Sequence, residues 1–200
     1  MKCLVVVAHP DDETIWCGGT ILRHSDWEWH ILSLCRADDA DREPRFLQAA
    51  SELGAFAYMS DLDDSPILAP LSPTLIEIRE RIRLLVPMQW DLILTHGPMG
   101  EYTRHPRHEQ THQAIREMAE SGTLTGGLLF FAYDDQGGAG SPKPTPDASV
   151  RVSLSDDEFA DKRRIVRDIY GFTENSFEYV AAGRVEAFDK EESFASTLVI

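Results

Sequence analysis

The chain has 200 residues, 42% hydrophobic and 26% charged, with a formal net charge of −15; this is enough to bury one full core. The acidic surplus argues against a nucleic acid or an anionic membrane surface as partner. No apolar run approaches bilayer-spanning length and no leader-like h-region follows Lys2, so a cytoplasmic protein is expected. Cys3, Cys17 and Cys35 are odd in number, lie in or beside apolar segments and form no CxxC pair, which reads as buried thiols in a reducing compartment rather than metal ligands.

The first predicted element is the strand Lys2-Cys3-Leu4-Val5-Val6-Val7. Its apolar and β-branched positions do not alternate with polar ones, as in a central parallel strand covered on both faces, and Pro10 ends its ladder. A helix over Thr14–Arg23 follows, in which Gly18 and Gly19 either let it pack closely or shape the pocket. A strand at Trp29–Leu34, a helix at Pro44–Leu53 stopped by Gly54, and a strand at Ala55–Met59 come next. They are followed by a helix at Pro73–Leu85 ended near Pro87, a strand at Asp91–Leu94, a loop leading into a helix near His108, and a strand at Gly127–Ala132. This alternation predicts a doubly wound α/β fold, with a mostly parallel sheet and helices on both faces. After Tyr133 come a Gly- and Pro-rich loop (134–146), a strand at Ser149–Leu154, and a helix to about Tyr170 opened by a capping box at Ser155 and Glu158. One domain over 1–200 is expected, its core about 1–135 and its accessory, substrate-shaping segment about 136–200.

Chemistry concentrates at two strand ends. His9-Pro10-Asp11-Asp12-Glu13 places an imidazole and three carboxylates directly after the first strand. Such acids repel one another unless a cation or strong donors lie among them, and His9 with Asp12 offers donors that zinc accepts. Alternatively, Asp11 and Asp12 simply cap the following helix. The Asp91–Leu94 strand leads into Thr95–His108, which holds three of the seven histidines. If the first and fourth strands are neighbours, the two loops meet where strand order reverses. His108, in a helix's first turn, then completes a His, Asp, His set with a fourth position open to water, the pattern of a catalytic metal.

His9-Pro10-Asp11-Asp12-Glu13, with His105-Pro106-Arg107-His108 about a hundred residues on, resembles the PIG-L/LmbE family of zinc-dependent N-acetylglucosamine deacetylases, over roughly residues 1–135. The resemblance implies a Rossmann-like parallel sheet. It also implies His9, Asp12 and His108 as zinc ligands and Asp11 as general base, with His105 steadying the oxyanion or protonating the leaving amine. Arg42 falls where the family often places a substrate-binding arginine, with Arg45 close by. Tyr102 is carried over as a substrate contact although it lies three residues before His105, where family members often have two. Arg107 replaces an acid that many members carry, which alters any tuning of His105. Glu13 either orients a ligand from behind or caps the helix, and Asp63 or Asp64 either bonds a sugar hydroxyl or belongs to a solvated loop. The substrate class implied is a small amino sugar or glycoconjugate; iron, cobalt or manganese would also suit the donor set.

Competing motifs are weaker. His108-Glu109-Gln110-Thr111-His112 is a literal HExxH string, but a zincin-type metallopeptidase needs a third ligand downstream, and no histidine follows. A nucleotide-binding module lacks GxGxxG and a Walker lysine and would set three acids against phosphate. A catalytically silent metal protein leaves Asp11 and His105 without a task. His24 and His30 are expected to be structural, His96, Glu101 and Asp61–Asp64 to line the pocket, and Trp16, Trp27, Trp29 and Trp90 to serve packing. Residues 134–146 and the segment around Arg184–Phe188 are expected to shape substrate choice. Oligomeric state is not encoded in any motif.

Overall fold

The computed structural model describes residues 1–65, 71–102, 105–134 and 141–191. The elements run β1 (Lys2–Val7), α1 (Asp12–Arg23), β2 (Glu28–Ser33), α2 (Arg42–Glu52), β3 (Phe56–Met59), α3 (Leu71–Leu85), β4 (Gln89–Thr95), α4 (Pro106–Glu120) and β5 (Thr125–Phe131). They continue with a short ribbon of β6 (Tyr133–Asp134) and β7 (Lys143–Pro144), then β8 (Val150–Ser153), α5 (Asp156–Arg164), a π-helical turn at Ile165–Ile169, α6 (Phe177–Ala181) and β9 (Val185–Lys190). A seven-stranded sheet has the order β3-β2-β1-β4-β5-β9-β8. Its first five strands are parallel, while β9 is antiparallel to both β5 and β8.

β1 lies between β2 and β4, with Val7 opposite Ser33 and Val6 opposite Thr95. The chain winds one way from β1 through β2 to β3 and the other way from β4 to β5, so strand order reverses between β1 and β4. That leaves an open crevice at their carboxyl ends. Successive β1 side chains serve two cores. Cys3, Val5 and Val7 pack with Ile15, Trp16, Phe46, Ile165 and Phe188 on one face, and Leu4 and Val6 with Ile78, Ile82, Ile115 and Met118 on the other. Both faces are covered, hence the uninterrupted apolar run in the sequence.

Three helices start about two residues earlier than their apolar patterns suggest, at Asp12, Arg42 and Leu71. Pro44 sits in the first turn of α2, where a missing N–H leaves no helical bond unmade. The capping box at Ser155 and Glu158 forms as expected. The segment around Arg184–Phe188 differs from expectation: most of it is β9, an interior sheet strand, and not a substrate loop. Glu186 at its centre breaks the apolar pattern, yet it is fully buried against Lys162. Residues 135–140 of the Gly- and Pro-rich loop lie outside the described residues.

Candidate metal centre

β1 delivers His9 and α1 begins at Asp12, with Asp11 between them held at a φ of 116°. A non-glycine residue rarely adopts that region, and such strain gathers at functional turns. The capping reading of the acids fails here, because Asp11 makes no side-chain cap bond. Asp12 instead turns back toward the strand: its Oδ2 accepts the His9 backbone N–H at 2.9 Å and its Oδ1 accepts the Trp16 indole N–H at 3.0 Å. Glu13 is fully buried and binds neither metal-candidate histidine. Its carboxylate accepts the Asp11 backbone N–H at 3.0 Å, the Thr14 hydroxyl at 2.5 Å and the Tyr170 hydroxyl at 2.7 Å, fixing the turn from behind.

β4 brings up the second loop. A Cβ added at Gly97 would lie 2.5 Å from the Phe131 carbonyl oxygen, and Gly100 has a φ of 74°. The two glycines permit a tight turn that folds Glu101 back under His96. There Glu101 Oε1 accepts the Gly97 N–H at 2.9 Å, while Oε2 lies 2.9 Å from His96 Nδ1 and 2.6 Å from His108 Nδ1. The Ala8 N–H donates to His96 Nε2 at 2.9 Å. His96 and Glu101 therefore lie buried behind the site and do not line it, contrary to expectation.

Three predicted ligand atoms converge. His9 Nδ1 is 3.3 Å from Asp12 Oδ2 and 3.2 Å from His108 Nε2, and His108 Nε2 is 3.4 Å from Asp12 Oδ2. Donors about 2.0–2.1 Å from one tetrahedral ion stand about 3.3–3.4 Å apart, so this triangle fits a zinc-sized cation. Its far sides are anchored by carboxylates: His9 Nε2 meets Asp64 Oδ1 at 3.1 Å and His108 Nδ1 meets Glu101. With both far nitrogens donating, two lone pairs and a carboxylate oxygen face one point.

The electrostatics favour positive charge there. Burial alone would depress the His9 pKa, but Asp12 and Asp64 push it up to about 9. His108 is likewise opposed by burial, yet Asp12 and Glu101 raise it to about 10. The Asp12 carboxyl resists desolvation and is held well below its usual range by His108 and His96. Asp11 is shifted the other way, by burial and then by the neighbouring charges of Asp12 and Glu13. His105, the residue before α4, stands edge-on to His9 at 4.7 Å between ring centroids, and burial with the His108 and His9 charges lowers it to about 4.

A pocket of about 230 Å³ opens onto this centre, its lining including His9, Asp11, Asp12, Asp64, Tyr102 and His105. Arg42 also lines it and pairs with Asp11 Oδ2 at 3.2 Å, whereas Arg45 turns away to Asp41 and the Ile169 carbonyl, which separates the two arginines. Arg36 reaches the same wall from a φ of 73° and pairs with Asp64 at 2.9 Å. Trp16 is more than packing: besides bonding Asp12 it stacks on Tyr102 at 6.3 Å. Phe177 and Glu178 of α6 complete the mouth. Asp61 pairs with Arg81, and Asp63 bonds Ser65, leaving Asp64 as the pocket carboxylate of that run. Arg107 does not approach His105 as a charge partner. Its buried guanidinium donates to Gln110 Oε1 at 2.6 Å and to the Asp63 carbonyl, bracing the segment that carries Asp64.

The HExxH alternative is not assembled. His112 Nδ1 donates to the His96 carbonyl at 2.9 Å, and with Glu109 it lines a separate groove along α4. Among the described residues no triad of potential ligands includes either residue. Cys35, buried with its thiol pushed up to about 12 by burial, lies near His9 and Asp64.

The family model for PIG-L, the GlcNAc-PI de-N-acetylases, matches residues 4–119, more than half of the chain. The chain belongs to the PIG-L family. The match covers β1 through nearly all of α4, the portion that supplies every residue of the triangle. No curated protein sequence matches this PIG-L chain. Among solved structures it is similar to the N,N'-diacetylchitobiose deacetylase from Pyrococcus horikoshii (TM-score 0.69, 19% identity, 95% of this chain and 83% of that one). It is also similar to the conserved protein TT1542 from Thermus thermophilus (TM-score 0.69, 21% identity, 99% of this chain and 98% of that one). A third similar structure is GalB, the 4-carboxy-2-hydroxymuconate hydratase from Pseudomonas putida (TM-score 0.62, 18% identity, 100% of this chain and 99% of that one). At these identities the likeness shows the fold, and a fold hosts more than one chemistry.

Five contributors gain their roles only in the structure. The sequence marks Glu101 and Trp16 but not their bonds to His108 and Asp12, because a hydrogen bond made through a tight turn or one helical turn has no spacing signature. Arg36 and the Phe177–Glu178 pair were not singled out; only their position at strand and helix ends past the crevice marks them.

Proposed function

We propose that this chain is a metal-dependent hydrolase that removes the N-acetyl group from an N-acetylglucosamine-type amino sugar or glycoconjugate, with zinc as its ion. The observation that carries this reading is the triangle of His9 Nδ1, Asp12 Oδ2 and His108 Nε2, with sides of 3.2–3.4 Å, beside Asp11 in the lining of the pocket of a PIG-L family chain. An ion held by these three residues supplies Lewis acidity toward an acyl oxygen and lowers the pKa of water to about 7.

The remaining work falls to side chains. Arg42 holds one oxygen of Asp11; we assign the other to take the proton of the attacking water, a contribution of about 10²–10⁴ in rate for a well-placed base. His105, with its lowered pKa, is neutral at pH 7, so its N–H suits stabilising the oxyanion before it suits protonating the amine. Asp64, Arg42 and Tyr102 present a carboxylate, a guanidinium and a phenol along the wall, a set that matches sugar hydroxyls. The partner is thus a small molecule, and we place the reaction in the cytoplasm, consistent with three free buried cysteines. Among the described residues no helix is long and apolar enough to cross a membrane.

The test is acetate release from a graded panel of N-acetyl amino sugars and glycoconjugates, with metal analysis of the same sample. Release that stops with chelator and returns with zinc supports the reading. A metal-loaded protein that releases acetate from no member of the panel overturns it.

A further inference from the structure

Glu101 is one of the most fully enclosed acids in the molecule, and its hydrogen bonds determine more than its own position. Because the Ala8 N–H donates to His96 Nε2, that nitrogen must carry the lone pair, so the His96 proton resides on Nδ1 and points at Glu101 Oε2, 2.9 Å away. The same oxygen is 2.6 Å from His108 Nδ1, and Oε1 is already engaged by the Gly97 N–H. An ionised carboxylate only accepts, so it requires the Nδ1–H form of His108. With the Nδ1 proton held there, Nε2 is the His108 nitrogen left to bind an ion, and it faces His9 Nδ1 and Asp12 Oδ2.

We propose that Glu101 is the positioning residue of this centre: it fixes the tautomer and ring orientation of His108 and so makes the site ready for a metal. Asp64 does the same for His9 from the solvent side, but Asp64 is shared with Arg36 and lines the pocket. Glu101 is sealed from the pocket, and its two oxygens take His108, His96 and the Gly97 N–H. The acid that orients the later histidine therefore precedes the His105-Pro106-Arg107-His108 run, and Arg107, inside that run, is turned to Asp63 and Gln110. A glutamine at position 101 offers one carbonyl oxygen to three N–H donors and sets its own NH₂ against another, so it cannot reproduce the arrangement.

This inference rests on the metal-centre reading but has its own readout. Imidazole ¹⁵N NMR of the zinc-loaded wild-type protein is expected to show the single ring proton of both His108 and His96 on Nδ1. In Glu101→Gln, His108 loses that preference and zinc binding, measured by competition with a chromophoric chelator, weakens by about 10- to 100-fold. His108 found as Nε2–H in the wild type overturns the proposal without any variant, as does a folded Glu101→Gln protein with wild-type zinc affinity. If the wild type binds zinc but hydrolyses nothing, the deacetylase reading fails while the tautomer and affinity results still decide the role of Glu101.

Discussion

Replacing Glu186 by glutamine tests how the C-terminal segment supports the site. Glu186 and Lys162 are both fully buried and their charged atoms lie 2.7 Å apart. The carboxylate also accepts the backbone N–H groups of Gly19 at 2.8 Å and Thr20 at 2.7 Å, and the Thr20 hydroxyl at 2.6 Å. It thereby ties β9 to the middle of α1, the helix whose first turn carries Asp12. Glutamine keeps one acceptor for the α1 groups but leaves the Lys162 ammonium buried without a counter-charge. Breaking one side of such a pair costs about 3–5 kcal/mol. With a urea dependence of about 2 kcal/mol per molar for a domain of this size, the unfolding midpoint should fall by about 1.5–2.5 M. Adding Lys162→Met removes the orphaned charge and should recover at least about half of the loss, the non-additivity expected of directly bonded partners. Midpoints from circular dichroism of the wild type, both single variants and the double variant would measure this. A fall of less than about 0.5 M in Glu186→Gln, or no recovery in the double variant, refutes the reasoning.

Two further outcomes follow from contacts away from the centre. A Cβ at Gly19 would lie 2.2 Å from Leu154 Cδ1, so Gly19→Ala should destabilise by about 1–3 kcal/mol despite the better helix propensity of alanine; Leu154→Ala in the same chain should restore part of the loss in a thermal melt. Glu158 has its pKa lowered to about 2, first by its hydrogen bond to Arg23. Its contribution is therefore complete above about pH 4.5 and disappears as pH falls toward 2. The pair is largely exposed and screened, so the effect should stay below about 1 kcal/mol. The stability difference between wild type and Glu158→Gln should close over that window, and a difference that widens on acidification contradicts the assignment.

Most of the parallel half of the fold was legible because buried strands and amphipathic helices leave periodic patterns: β1, β2, β4 and β5 each follow the apolar runs that announce them. The expected meeting of the β1 and β4 loops follows from the same alternation, since it places the strand-order reversal between those strands. β9 was obscured because a buried ion pair interrupts its hydrophobic run, and nothing local reveals that Glu186 has Lys162 as partner. Within the site, His9, Asp12 and His108 were legible as candidate ligands at motif spacing, and the structure brings their donor atoms together. Which arginine faces the pocket was not, because Arg42 and Arg45 differ by less than one helical turn and only tertiary bonds separate them, Arg42 to Asp11 and Arg45 to the Ile169 carbonyl. Glu101 likewise acquires its role from a turn shaped by Gly97 and Gly100.

The central claim is that Asp12 holds an ion with His9 and His108 while Asp11, one residue away, handles the proton of water. The most direct measurement is metal stoichiometry and acetate turnover on the same preparations of wild type, Asp11→Asn and His9→Ala. Asp11→Asn should keep about one metal per chain and lose about 10²–10⁴ in turnover, and His9→Ala should lose both metal and turnover. Wild-type turnover in Asp11→Asn, or full metal content in His9→Ala, would contradict the account.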